Sequence, residues 1–166
     1  MYEDDHSEQR FVETVSEHEG AILRVCLAFT DRRPENVRDM YQEIVYNLWK
    51  AFPAFRGGSK VSTWVYHVAL NTAVSQSRRA AMLPSCIKLD EARLDDLAEE
   101  CRDELVEQLY ELIDMLDIND KRLIFMYLDK LPVSIISKEM KLSEFAVRQR
   151  IRRIKLKLIK YKNDGK

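Results

Sequence analysis

Arg148, Arg150, Arg152, Arg153, Lys155, Lys157, Lys160 and Lys162 place eight cations near the end of a chain whose net charge is only −1. Guanidinium and ammonium groups at this density suit a polyanion, and the phosphates of nucleic acid are the obvious one. Val147, Ile151, Ile154 and Leu158 recur at four, three and four residues, so one edge of the segment is apolar and the cations fill the rest. Before it, Ser134 to Met140 predicts a short helix with Ile135, Ile136 and Met140 available for burial. Lys141-Leu142-Ser143 then makes a turn, and Ser143 is the natural N-cap of the basic helix. Val133 to Lys162 therefore reads as a helix-turn-helix, which favours DNA binding over a merely solvated amphipathic helix. Arg148, Gln149, Arg152 and Arg153, with Ser143 at the start, face outward in the half that normally reaches base edges. Lys157, Lys160 and Lys162 lie further along, toward phosphate or solvent.

A second cluster is Pro53-Ala54-Phe55-Arg56-Gly57-Gly58-Ser59-Lys60, the only glycine-rich stretch. Its ring and cations could accept an unstacked base or cradle phosphate, with Asn71, Arg78 and Arg79 on the following helix. A third set, Asp39, Gln42, Glu43 and Asn47, forms a polar face within three helical turns and can address one protein surface.

Enzyme chemistry finds no support. Paired carboxylates at fixed spacing, a phosphate-binding glycine fingerprint and a Ser/His/Asp set are all missing from the sequence. Cys26, Cys86 and Cys101 are odd in number and widely spaced, giving neither a disulfide framework nor a zinc motif, and no metal or cofactor is expected. Cys26 reads as a small core residue. No apolar run approaches the roughly 20 residues needed to cross a bilayer, and the start lacks signal-peptide order, so no membrane insertion and a cytoplasmic location are expected.

The elements that must position these groups are helical. With four glycines and four prolines in 166 residues, little turn chemistry is left for a sheet. The expected fold class is all-α, with two small helical domains joined by a linker and the helix-turn-helix in the C-terminal one. The boundaries are 1–80, an acidic linker at 81–103, and 104–166. The linker region carries eight acids between Asp90 and Glu104 against Arg93 and Arg102. A first helix is predicted from Gln9 to Phe29, burying Phe11, Val15, Ile22, Cys26 and Phe29. A second runs from Pro34 to Phe52 and a third from about Ser62 to Arg79, with Val61, Trp64, Val65, Val68 and Thr72 inward. In the C-terminal part, Leu105, Val106, Leu109, Leu112, Ile113 and Leu116 define one helix. Asn119 or Asp120 caps the next, which holds Leu123, Ile124, Tyr127 and Leu128.

Several motifs then fall in a familiar order. Asp39-Met40-Tyr41-Gln42-Glu43, Leu48-Trp49, Phe55-Arg56-Gly57, Thr63-Trp64-Val65-Tyr66, Asn71-Thr72-Ala73 and Arg78-Arg79 together resemble region two of extracytoplasmic-function (ECF) sigma factors. The C-terminal helix-turn-helix resembles their region four. The resemblance implies a bacterial transcription initiation factor that binds core RNA polymerase through its β′ clamp helices and β flap and directs it to promoter DNA. On it, Asp39, Gln42, Glu43 and Asn47 would meet the polymerase. Phe55, Arg56, Gly57, Gly58, Lys60, Asn71, Arg78 and Arg79 would meet the melted −10 element. Ser143, Arg148, Gln149, Arg152 and Arg153 would read the −35 element. An anti-sigma factor is a further partner implied by the family alone. Three positions depart from the family pattern: Arg38 stands for an acid, Ile135-Ile136-Ser137 for Glu-Ile-Ala, and Lys141 for the usual turn glycine. Held left-handed, Lys141 would cost about 1 kcal/mol. The alternative reading is a stand-alone helix-turn-helix regulator, which has no need of the polar face beside the Gly-Gly loop.

Overall fold

The computed structural model describes residues 2–82 and 104–165, and every described regular element is a helix. The expected acidic linker, with Cys86 and Cys101, lies outside the described residues apart from the last turn of the helix before it. The chain divides into two compact units, Met1–Asp96 and Leu97–Lys166.

In the first unit, α1 (Tyr2–Glu17) and α2 (Glu19–Phe29) replace the single helix expected from Gln9. The break is His18, at φ −113° and ψ 11°. Its Nδ1 lies 2.8 Å from the Thr14 carbonyl oxygen, the acceptor its own amide would use in a regular helix. That amide turns instead to Val15 at 3.2 Å. Val15, expected inward, is only half-buried.

After α2, Thr30 Oγ1 accepts the Arg32 amide at 3.2 Å. Asp31 Oδ1 accepts the Arg33 amide at 3.2 Å and the Asn36 side-chain amide at 2.7 Å. These bonds stabilise a turn in which Arg32 takes φ 61°. Pro34 opens α3 (Pro34–Ala51), where its missing amide proton costs nothing. A 3-10 turn (Phe52–Ala54) follows, and α4 (Val61–Met82) is the last described element of the unit, ending three residues beyond the expected end.

Ile22, Val25, Cys26 and Ala28 of α2 pack with Met40, Ile44 and Leu48 of α3 and Val65, Ala69, Leu70 and Ala73 of α4. Burial pushes the Cys26 thiol up to about 12, so it behaves as a core methyl-sized group and not as a nucleophile. Val61 was expected inward but is 39% exposed, at the first position of α4. Rings knit the periphery: Phe11 meets Trp49 edge-on at 4.9 Å and Phe52 at 5.3 Å between centroids.

The second unit holds α5 (Glu104–Asp114), α6 (Ile118–Leu128), α7 (Val133–Met140) and α8 (Glu144–Asp164). Tyr110, Ile113, Leu116, Leu123, Ile124, Phe125, Met126, Ile136, Val147, Ile151 and Ile154 form its core. The cap of α6 is Asp117, not Asn119 or Asp120: its Oδ1 accepts the amides of both, each at 3.0 Å. Tyr127 and Leu128, expected inward, are 37% and 43% exposed, while Phe125 and Met126 are buried. α6 packs against both α7 and α8, so four consecutive residues are covered and a one-faced pattern cannot describe it. Leu105 and Leu109 likewise stand exposed on α5.

Among the described residues no helix is long and apolar enough to cross a membrane. No group of three or more His, Cys, Asp or Glu among them is placed to hold a metal ion.

Candidate nucleic-acid interface

The turn between α7 and α8 decides how the basic helix is presented. Lys141 is held left-handed at φ 52°, ψ 43°. The Leu142 amide returns to the Ser137 carbonyl at 3.1 Å, and the Ser137 hydroxyl donates to the Leu142 carbonyl at 2.6 Å. Ser137, one of the departures from the family pattern, thus clasps the turn whose backbone Lys141 strains. Ser143 Oγ accepts the Ala146 amide at 3.1 Å and starts α8 as its N-cap.

Val147, Ile151 and Ile154 are buried, which turns Arg148, Gln149, Arg152 and Arg153 outward. Arg148 forms an exposed ion pair with Glu144 at 3.1 Å, worth only tenths of a kcal/mol and easily exchanged for phosphate. Arg152 and Arg153 have no partner among the described residues.

The other cations differ from expectation, since several of them are opposed. Arg150 Nε donates to Asp120 Oδ1 at 2.6 Å, and Lys157 Nζ meets Asp120 Oδ2 at 3.2 Å. Lys155 Nζ donates to the Tyr127 hydroxyl at 2.8 Å, 4.3 Å from the ring centroid. α6 presents Asp120 and Tyr127 to one flank of α8 and engages these three cations, of which Lys155 and Lys157 remain exposed. Phe145 was missed: it is 71% exposed at the second position of α8. The available signal was its place off the apolar stripe of a basic helix.

In the first unit the loop after the 3-10 turn carries Phe55, Arg56, Gly57, Gly58 and Lys60. Phe55 is half-buried, its ring 4.8 Å from that of Trp64 on α4. Gly57 takes φ +72°, which a Cβ would strain, whereas Gly58 does not need positive φ. Arg56 and Lys60 are exposed. Trp64, His67 and Asn71 follow at three- and four-residue spacing along one side of α4, and Asn71 Nδ2 lies 2.9 Å from His67 Nε2. Asn71 therefore stands about 10.5 Å along the helix axis from the backbone of Trp64. Arg78 and Arg79 are exposed near the end of α4.

On α3, Asp39 and Gln42 are exposed and Glu43 half-buried. Asn47 turns the other way and donates to Thr72 Oγ1 at 3.2 Å, tying α3 to α4. The outward side carries instead Tyr46 and Trp49, 57% and 40% exposed, with Lys50 Nζ 5.2 Å from the Tyr46 centroid. Asp39 also borders a cleft of about 420 Å³ lined by Asp31, Asn36, Met40 and Gln76 among others. Burial disfavours ionised Asp31, but hydrogen bonds from Asn36 and the Arg33 amide outweigh it and hold the carboxyl below its ordinary range.

This geometry has counterparts among known proteins. The Sigma-70 region 2 family model matches residues 14–82, and the Sigma-70, region 4 model matches residues 106–158. The ECF RNA polymerase sigma factor SigG of Mycobacterium tuberculosis is 32% identical over 66 residues, 39% of this chain, in two strains. That match spans 18% of the length of SigG. Among solved structures, CnrH in complex with the cytosolic domain of CnrY shares the fold at a TM-score of 0.67 and 18% identity, covering 96% of this chain and 91% of that one. The sigma factor RpoE of Bartonella quintana, in complex with the anti-sigma factor NepR, does so at 0.66 and 14%, covering 90% and 94%.

Two helical units matching regions 2 and 4 in that order define a sigma-70 family sigma factor. The chain belongs to the ECF group of that family.

Proposed function

We propose that the chain binds core RNA polymerase and directs it to promoters, initiating transcription in the cytoplasm. The observation that carries this reading is the presentation of α8, where a capped turn and a buried apolar edge hold Arg148, Gln149, Arg152 and Arg153 outward. Arginine pairs bidentately with guanine and glutamine with adenine, so this face suits a duplex −35 element. Ser143 retains its hydroxyl proton for a phosphate.

The first unit would hold the −10 element. Opening duplex DNA costs on the order of 1.4 kcal/mol per stacked step, and stacking on an aromatic surface returns roughly 1–3 kcal/mol per base. Phe55 on Trp64 supplies such a surface, Asn71 a polar contact further along the same helix, and Arg56, Lys60, Arg78 and Arg79 the charge. Gly57 and Gly58 leave the loop open to an approaching strand: a Cβ built at either meets nothing within 4 Å.

The polymerase β′ clamp helices would meet Asp39, Gln42 and Glu43. Tyr46 and Trp49 extend that face with residue types that anchor interfaces. Asn47 acts from behind, through Thr72. The β flap would meet the second unit. The working domain limits are 1–80, 81–103 and 104–166, and an anti-sigma factor is a further partner.

The test is reconstitution of the full chain with core polymerase on genomic fragments, followed by footprinting and transcription. Specific initiation that needs both components supports the reading. Tight, selective binding to DNA without polymerase, and no association with it, would instead indicate a stand-alone helix-turn-helix regulator.

A further inference from the structure

Phe145 occupies an unusual place for a large apolar side chain. It is 71% exposed, and its ring contacts no other aromatic among the described residues. Burial cannot explain it, because the α8 residues that enter the core are Val147, Ile151 and Ile154. Two residues before Val147, Phe145 lies about 200° around the helix from it, since each residue advances roughly 100°. Gln149 and Arg152, four and seven residues on, share its side. The ring therefore stands one turn N-terminal to the outward polar residues, at the end of the helix that enters a major groove.

The surroundings are charged but locally balanced. Glu144 pairs with Arg148 at 3.1 Å in the chain without DNA. Arg152 and Arg153 draw the same face toward duplex DNA. Within the major groove the base edges offer hydrogen-bonding atoms and one apolar group, the 5-methyl of thymine. A phenyl ring offers no hydrogen bond, so that methyl is the feature it can distinguish.

We propose that Phe145 is a specificity-determining residue that reads the 5-methyl group of a thymine in the upstream promoter element. The inference rests on the promoter-reading role of α8 proposed above. It selects for a thymine at one position by apolar contact, beside positions read through hydrogen bonds by Arg148, Gln149 and Arg152.

Deoxyuridine, which lacks only the methyl, isolates the contact. The full chain with core polymerase is used to select duplexes from a library randomised across the upstream element. Each thymine of the winning sequence is then replaced singly by deoxyuridine, and affinities are compared by competition. At one position the wild-type complex should lose about fourfold in affinity, the size expected for one buried methyl group. Phe145→Ala should bind the thymine and deoxyuridine duplexes equally, and Phe145→Leu should keep part of the difference. No deoxyuridine penalty at any position, or the same penalty in Phe145→Ala, overturns the proposal. So does a Phe145→Ala loss that is equal on every duplex while the penalty persists, which would mark packing against sugar. Selection that depends on Arg152 but shows no methyl effect removes only the Phe145 role. Failure to select any sequence with core polymerase removes the promoter-reading role and this one with it.

Discussion

Asp120 and Arg150, thirty residues apart, are joined by a 2.6 Å hydrogen bond from Nε to Oδ1, and the other carboxylate oxygen faces Lys157 at 3.2 Å. Asp120 is only 5% exposed. Burial alone would push its carboxyl up, but the hydrogen bonds from Arg150 and Lys157, with the Arg150 charge, outweigh that and hold it below the ordinary 3.8. The stability it contributes is therefore fully present above the unfolded value and is lost as pH falls through the lower folded one. Truncating Asp120 removes the charge-assisted bonds to Arg150 and Lys157, which are 28% and 50% exposed and so stay partly solvated. Asp120→Ala should lower the stability of the second unit by about 1.5–3 kcal/mol at neutral pH. Urea denaturation at pH 7 and at pH 3 checks this: the gap between wild type and variant should narrow in acid.

The α7–α8 turn gives an opposite effect. Lys141→Gly should raise stability by about 1 kcal/mol, because glycine takes φ 52° without a Cβ clash. Ser137→Ala should lower it by about 1 kcal/mol by leaving the Leu142 carbonyl without its 2.6 Å donor. Thermal melts of the two variants should move in opposite directions.

On α8 the cations should separate into classes. Arg152→Ala should change preference at one or two base pairs by roughly 1–3 kcal/mol. Lys160→Ala should weaken binding to all duplexes alike and reduce the salt slope by about 1 if it meets phosphate. Lys157→Ala should leave the slope unchanged, since Asp120 already holds that ammonium. Titrations on single-substitution duplexes at several salt concentrations distinguish the three.

Charge reversal at Asp39 and Glu43 should lower affinity for core polymerase at least tenfold while helicity by circular dichroism stays intact. Asn47→Ala should cost about 1 kcal/mol in stability through the lost bond to Thr72 and act on the polymerase only by that route. Pull-down titration beside thermal denaturation tests the contrast. A large loss of affinity in a fully stable Asn47→Ala protein would place Asn47 back on the outer face.

How far the sequence could be read depended on how widely a helix's neighbours are spread around it. α8 faces its unit along one edge, so Val147, Ile151 and Ile154 stood out by spacing alone. α6 is covered by both α7 and α8, and its buried run Leu123–Met126 shows no period to find. Local chemistry was half visible: Ser143 read as a cap and is one, but Asp120 read as a cap and is the buried partner of Arg150. Nothing local marks an ion pair spanning thirty positions. His18 was equally hidden, since a histidine at helical spacing gives no sign that its ring will take the Thr14 carbonyl.

The Asn47–Thr72 bond has a mechanical meaning. It ties α3, four residues before its end at Ala51, to the middle of α4, beside the buried Ile44 and Leu48 of the first and Ala69 and Ala73 of the second. The helix that presents Asp39 and Trp49 and the helix that carries Trp64 and Asn71 are thereby stiffened against sliding. A load on the outside of the first is passed to the second through this bond and the side chains packed around it. In the function proposed above, force exchanged with the polymerase at α3 would reach a strand held at α4 through this bond.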